Sequence, residues 1–413
     1  MMAHGRRGFL VVLALGAAAC GGGTARGVEP ERAVAPGLEV LLGDSAGIVA
    51  GKRVGLVTNQ TGVDATGMSD VDRLRSAGVQ LVALFSPEHG FRGTADPGEA
   101  VESTTDPTTG LPIYSLYGRN RFPSDSVLRG LDVILVDLQD AGARYYTYLT
   151  TTVNVMRAAE KAGRPVVVLD RPNPIGGMVQ GNVLDTAFRT DVGLLAMPMR
   201  HGMTLGEQAL LAKSDFGMSV DLRVVPAAGW RRHTYFDHTS LPFIPPSPNL
   251  RSVEALLHYP GTCLFEGTAL SVGRGSDAPF EQIGAPWLDT AAVLKRMHDA
   301  HLPGVSFHGV AFIPQRPGDG KFADTLVRGI RLTVTDRATY DPTVTAVYLL
   351  AAVQAIHPDK IGYIVRHIDR LAGTDQLRLA LIAGTSPEEI VKGWEAGRAG
   401  FLERRKAFLI YPE

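Results

Sequence analysis

An α/β fold, in which a parallel sheet carries helices on its faces, is predicted by three observations. Short aliphatic and β-branched runs recur through the first half of the chain, at 53–58, 79–85, 112–116, 133–138, 165–169 and 222–225. Several of them, such as Val133-Ile134-Leu135-Val136, are apolar without alternation, the pattern of a strand buried on both faces. Between the runs, 68–76, 151–162 and 205–216 have the apolar spacing of helices, which gives the βαβ rhythm of a parallel sheet. A Rossmann-like domain is therefore expected over 37–240. A smaller C-terminal α+β domain is expected over 241–413, with an active-site cleft between the two.

Before the first strand, Arg6-Arg7 is followed by an apolar run at 9–15, small residues at 16–19 and Cys20. This resembles a bacterial lipoprotein signal, and the run is too short to span a bilayer as a permanent helix. The reading is a signal peptide at 1–19, lipidation of Cys20, and a flexible Gly/Ala-rich tether at 20–36. The protein would then be exported and held on a membrane, periplasmic or at the cell surface. With Cys20 lipidated, Cys263 is the one cysteine left, so no internal disulfide and no cysteine-based metal cluster is expected. The chain has 413 residues, 20% of them charged, and a formal net charge of -1. Such a balance argues against nucleic acid as a partner, because neutralising phosphates needs a clustered excess of Lys and Arg.

The predicted strands end in polar clusters. The first ends in Thr58-Asn59-Gln60-Thr61-Gly62, and the second runs through Ser86-Pro87 into Glu88-His89, where proline stops the ladder. The 133–138 strand ends in Asp137-Leu138-Gln139-Asp140 with Gly142, Arg144, Tyr145 and Tyr146 following, and 165–169 ends in Asp170-Arg171-Pro172-Asn173. In open α/β sheets ligands bind beyond the carboxyl ends of the strands, so these four ends outline one polar rim. Glu88, His89 and Arg92 put an acid, an imidazole and a cation within five residues, with Gly90 and Gly93 allowing a close turn. There is no G-x-G-x-x-G after the first strand and no G-x-x-x-x-G-K-[ST], so no nucleotide cofactor is expected.

Further on, Arg200 and His201 precede a helix that Thr204 and Glu207 cap as a box, which explains Glu207 structurally. Four prolines in 241–249 mark the crossing into the second domain or a wall of the cleft. The stretch 259–287 is a second glycine-rich, acid-bearing region with Glu266, Arg274 and Glu281, in which Leu264-Phe265 reads as an apolar strand delivering Glu266. Beyond it, 288–301 reads as a helix, 305–313 and 327–334 as strands that pair, and 343–356 as an amphipathic helix. One tail helix opens at Ser386-Pro387-Glu388-Glu389, with Ser at the cap and acids in the first turn, and another covers 397–409.

Two acids brought up from two domains suit glycoside hydrolysis, which needs one proton donor and one negative partner for an oxocarbenium-like centre. A salt bridge with Arg274 is the structural alternative for Glu266 and Glu281. Metal hydrolysis, with His89, His201, Asp137 and Asp140 as conceivable ligands, has no support from spacing, since neither H-E-x-x-H nor H-x-H occurs.

The ordered motifs T-N-Q-T-G (58–62), S-P-E-H-G-F-R-G (86–93), D-L-Q-D-A-G-A-R-Y-Y-T-Y (137–148), D-R-P-N-P-I-G-G (170–177), P-M-R-H-G-M-T-L-G-E (198–207) and P-P-S-P-N-L (245–250) carry a resemblance. With the stretch from Y-P-G-T to G-A-P-W and a matching tail at 390–394 and 405–412, the chain from about Leu41 to Pro412 resembles the exo-lytic β-N-acetylmuramidase family. Ser276 stands where that pattern has Thr, which keeps a hydroxyl.

The resemblance implies a Rossmann-like domain with a smaller partner, no cofactor, and release of N-acetylmuramic acid from non-reducing ends of peptidoglycan fragments. It makes Glu88 the general acid/base candidate, with His89 beside it and Glu266 and Glu281 as alternatives for the second carboxylate. The substrate's own acetamido group is a third possibility for that role. A muramic acid carries a lactyl carboxylate, for which Arg92, Arg144, Arg200 and Arg274 are candidate partners. Asn59, Asn173 and Asn249 suit hydroxyls or the acetamide, Tyr145, Tyr146 and Trp287 suit a ring face, and Asp137, Asp140 and His201 complete the candidate substrate-binding set. The competing reading is a non-catalytic muropeptide-binding lipoprotein that feeds a transporter, which an export signal and a two-domain cleft also fit.

Overall fold

The computed structural model describes Met1, Met2 and residues 33–413; the predicted signal segment and Cys20 lie outside the described residues. The first helix, α1 (Gly37–Asp44), starts so close to the sheet that a Cβ on Gly37 would sit 2.5 Å from the Asp170 amide and the Val225 carbonyl. Only glycine permits that approach. Then follow β1 (Arg53–Val57), α2 (Asp70–Ser76), β2 (Gln80–Ser86), β3 (Thr104–Thr105), β4 (Pro112–Ser115), α3 (Asp125–Arg129), β5 (Val133–Val136), α4 (Tyr148–Ala162) and β6 (Val166–Leu169). A two-stranded ribbon, β7 (Gln180–Val183) with β8 (Pro198–Arg200), precedes α5 (Leu205–Asp215) and β9 (Leu222–Val225).

The main sheet has the order β3-β4-β2-β1-β5-β6-β9, parallel throughout except for β3 at its edge. Numbered by the parallel strands alone, that order is 3-2-1-4-5-6, the Rossmann arrangement, whose direction reverses between β1 and β5. The non-alternating runs are buried on both faces. Val133 and Leu135 join a core with α1 and α2, whereas Ile134 and Val136 join a larger one with α4 and α5. That larger core continues without a break through Leu264, Ile283 and Leu350, and Ala33–Glu413 forms one compact unit.

The C-terminal half contains α6 (Val253–Thr262), β10 (Gln282–Ala285), α7 (Thr290–Asp299), β11 (Val305–Phe312), β12 (Val327–Val334), α8 (Pro342–Ile356), α9 (Val365–Ala372), α10 (Gln376–Ala383), α11 (Pro387–Lys392) and α12 (Glu395–Arg405). β11 and β12 pair antiparallel as expected, with β10 on the other side of β12. Ser386 caps α11 through the Glu389 amide, with Pro387 in the first turn. Among the described residues no helix is long and apolar enough to cross a membrane.

The glycine-rich stretch opens inside α6, with Pro260 in the last turn of that helix. One local reading is corrected. Leu264-Phe265 is not a strand but part of a 3₁₀ turn, Cys263–Gly267, that brings Glu266 out of α6.

Candidate active site

β2 ends against Pro87, and the next three residues turn sharply, the Gly90 amide donating to the Pro87 carbonyl at 3.1 Å. His89 adopts φ 71°, a left-handed conformation normally left to Gly or Asn, and its Nδ1–H is tied to the Ala95 carbonyl at 2.8 Å. Strain of this kind persists where surrounding structure over-determines it, and here it aims Glu88. The Glu88 carboxylate is buried and has no cationic partner among the described residues. Its Oε1 accepts from the Gly98 amide at 3.0 Å and its Oε2 from the Thr147 hydroxyl at 2.5 Å. Thr147 occupies the N-cap of α4 but does not cap it, since its hydroxyl goes to Glu88 instead. Burial, then the charge of Glu88, raises the nearby Tyr117 phenol, while burial lowers the His89 imidazole against the pull of Glu88.

Glu88 and His89 line a cavity of about 290 Å³ whose other wall comes from the C-terminal half: Glu266, Arg274, Lys321, His367 and Arg370. Arg274 Nε and Nη2 both donate to Glu266 Oε1, at 2.8 and 2.5 Å. Burial alone would raise the Glu266 carboxyl, but the charge and hydrogen bonds of Arg274 outweigh it and hold it below the usual carboxylate range. The Lys321 ammonium is lowered by burial and spans the same loop, donating to the Thr268 and Leu270 carbonyls at 2.8 Å. Tyr145, Tyr259 and Phe280 form an aromatic side of the cavity in two edge-on contacts, with centroids 5.9 and 4.9 Å apart. The lining thus offers one buried acid without a cation, one carboxylate held ionised by Arg274, and two further cations, Lys321 and Arg370, with Asp319 beside them.

Of the residues singled out in the sequence, Glu88, His89, Tyr145, Tyr146, Glu266 and Arg274 meet in this cavity. The others do not line it. Glu281 accepts from Ser252 at 3.1 Å and pairs with Arg331 at 2.8 Å, holding β12 to the start of α6. The polar rim divides: the ends of β1, β5 and β6 brace one another instead of facing the cavity. Asn59 donates to the Tyr148 phenol at 2.6 Å and closes a turn through Thr61, Asp137 pairs with Arg171, and Asn173 bridges the Met203 carbonyl and the Ile175 amide. Asp140 accepts from the Gly142 amide at 3.1 Å and lies 3.3 Å from His201 Nε2.

Arg144 gives its guanidinium to four carbonyls, those of Asn182, Met197, Leu371 and Ala372, and burial brings it down to about 10. Arg200 binds Gln180 and the Ile175 carbonyl, Arg92 pairs with Asp106 at 3.0 Å, and Trp287 stacks edge-on against His357. Asn249 is buried beside Ser247 and Leu250, which do line the cavity. Of the residues conceived as metal ligands, Asp140 and His201 lie together while His89 and Asp137 are held elsewhere, and no group of three such side chains occurs among the described residues.

Thr147, Lys321, His367 and Arg370 are the side chains the sequence reading missed. Thr147 lay inside the 137–148 motif without a role of its own. The other three arrive from the β11–β12 loop and from α9, an element without an expected boundary.

Comparison with known proteins gives the family. Family models described as exo-β-N-acetylmuramidase NamZ match the chain in two parts, the N-terminal one over residues 54–254 and the C-terminal one over 257–411. The chain is 40% identical over 381 residues to the peptidoglycan β-N-acetylmuramidase NamZ of Bacillus subtilis (strain 168), covering 92% of this chain and 91% of that protein. Two crystal structures of DUF1343 family proteins from Bacteroides fragilis NCTC 9343 superpose with TM-scores of 0.85 and 0.76, at 31% and 33% identity. Each covers 92% of this chain, and the match takes in 100% and 99% of the respective relative.

Proposed function

Because the chain belongs to the exo-β-N-acetylmuramidase NamZ family, we propose a division of labour within its cavity in which Glu88 is the proton donor and Glu266 the fixed negative partner. The protein is a glycoside hydrolase that releases N-acetylmuramic acid from peptidoglycan. The observation that carries the assignment is the contrast between the two carboxylates. Glu88 is buried without a cation and oriented by two donors, whereas Glu266 is clamped by Arg274. Environments that differ in this way separate acid from anion in glycosidases.

Glu88 delivers its proton to the bridging oxygen as the bond to the anomeric carbon breaks, and water then bonds to that carbon and returns a proton to the Glu88 carboxylate. The positive charge developing at the sugar ring faces the Glu266 carboxylate, and the substrate's acetamido group lies within the same chemistry. Arg274, whose Nη1 has no partner among the described residues, together with Lys321 and Arg370, receives the lactyl carboxylate that distinguishes muramic acid from glucosamine. The aromatic side made by Tyr145, Tyr259 and Phe280 takes the apolar face of the ring.

Export and a lipid anchor on Cys20 belong to the same proposal, supported by the order of Arg6-Arg7, the apolar run at 9–15 and the small residues before Cys20. Cys20→Ser should move the protein from the membrane fraction to the soluble fraction.

The test of activity uses a soluble form lacking residues 1–20 and the disaccharide with N-acetylmuramic acid at its non-reducing end. Free N-acetylmuramic acid is expected, unchanged by chelator. Glu88→Gln should lower kcat by roughly 10³-fold while calorimetry still detects disaccharide binding. Turnover by Glu88→Gln close to the parent rate overturns the assignment of the acid.

A further inference from the structure

We infer that a second cavity, adjoining the first across Tyr117, Thr147, Val192 and Arg370, is the subsite for the reducing-end sugar, the leaving group of the reaction, and that it recognises an uncharged N-acetylhexosamine. The inference rests on the activity assigned above. The cavity measures about 210 Å³, and one side of it is formed by the cap and first two turns of α4.

Thr147, Thr150, Thr151 and Asn154 fall at i, i+3, i+4 and i+7, so they form a single stripe along the helix. A stripe at that spacing is apolar when a helix packs against a core; this one is polar and yet buried, with Thr150 9%, Thr151 4% and Asn154 7% exposed. The Thr150 hydroxyl is satisfied by the Asp191 carbonyl at 2.8 Å. The Asn154 amide and the Thr151 hydroxyl make no hydrogen bond to any described residue. Both groups are open to the cavity rather than sealed in the core, and a side-chain amide brings two donors and an acceptor to whatever enters it.

The placement follows from the reaction. An acid that protonates a bridging oxygen stands between the two sugars that the oxygen joins. Glu88 is held by Thr147 and lies beside Tyr117, and both of those residues line both cavities. The first cavity carries the cations that suit the lactyl carboxylate and takes the muramic acid. The second takes what leaves.

Its charge fits a neutral sugar better than an acidic stem peptide. Arg121 at the mouth is already paired with Asp191, which leaves Arg370, shared with the first cavity, as the one other cation in the lining. Hydroxyls and an amide dominate the rest, the groups that bind sugar hydroxyls and an acetamide.

The experiment compares two substrates on the soluble enzyme: the disaccharide, and an aryl β-glycoside of N-acetylmuramic acid whose leaving group is not a sugar. Asn154→Ala and the isosteric Thr151→Val should lower kcat/KM about tenfold more on the disaccharide than on the aryl glycoside, chiefly through KM. Inhibition by added N-acetylglucosamine should weaken in parallel. Equal losses on both substrates, or none on either, overturn the subsite while leaving the activity intact. If the parent enzyme hydrolyses neither substrate, the activity itself fails, and the subsite with it. Should Asn154→Ala not fold, the comparison stands on Thr151→Val, which preserves shape.

Discussion

Thr147 gives up a helix cap, a contact ordinarily contributing about 1 kcal/mol, to donate to Glu88. Thr147→Val keeps the shape and removes that donor, so kcat should fall about tenfold with little change in KM, read from steady-state kinetics on the aryl glycoside. Arg274→Gln acts on the other carboxylate. With its cation gone, burial is left to dominate and the Glu266 carboxyl rises, so the acidic limb of kcat/KM should move to higher pH. An unmoved limb would show that Glu266 does not need to be ionised for turnover. At this scale the sequence was informative where chemistry is local: Glu88 was legible because a buried strand, a proline and an acid follow one another. Glu281 looked equivalent to Glu266 because both sit in a glycine-rich stretch, and only the register of β12 shows that Arg331 claims it.

The 3₁₀ turn that carries Glu266 packs directly on α9, which carries His367 and Arg370. A Cβ on Gly267 would lie 2.5 Å from the Ile368 Cα, a backbone atom that cannot step aside. Gly267→Ala should therefore destabilise the fold by about 1–3 kcal/mol and also depress kcat/KM, because both cavity walls shift. Gly400→Ala is the control. It lies inside α12 with nothing within 4 Å of its Cβ, and should stabilise by about 0.5–1 kcal/mol. Urea midpoints of the two variants decide the point. The same contrast explains which elements could be read in advance. Central strands and the capped helices α5 and α11 announce themselves through apolar runs and cap residues, including the Thr204–Glu207 box. The β7–β8 ribbon did not, because Gln180-Gly181-Asn182 has little strand propensity and is paired by its surroundings. α9 was hidden for a similar reason: its Ile364 cap residue contributes no side-chain hydrogen bond, so nothing marks its start.

Across the whole molecule, the last residues close back onto the Rossmann-like sheet through one buried carboxyl. Asp170, at the end of β6, accepts from the Thr204 hydroxyl at 2.6 Å, the Gly206 amide at 2.9 Å and the Tyr411 phenol at 2.7 Å. Tyr411 packs edge-on against Trp230, and the Arg232 amide donates to the Pro412 carbonyl at 3.1 Å, so the tail, α5 and β6 share a single polar centre. Burial pushes the Asp170 carboxyl up to about 7 in spite of these donors, the neighbouring Glu207 adding to the effect. A group raised in the folded state contributes stability that is fully present below its unfolded value, near 3.8, and is lost as pH climbs through its folded value. Stability should accordingly fall between about pH 4 and pH 7, by on the order of 4 kcal/mol from this residue. Asp70 works in the same sense, raised by burial and by the charge of Asp137, so Asp170→Asn should flatten the slope without removing it. Tyr411→Phe should carry the fall to higher pH, because the phenol is one of the donors that favour the ionised form. Urea unfolding at pH 5, 6 and 8 separates the cases. If Asp170→Asn and the parent keep parallel pH profiles, the clasp is held by packing of Tyr411 on Trp230 and the carboxyl is not what couples it to pH.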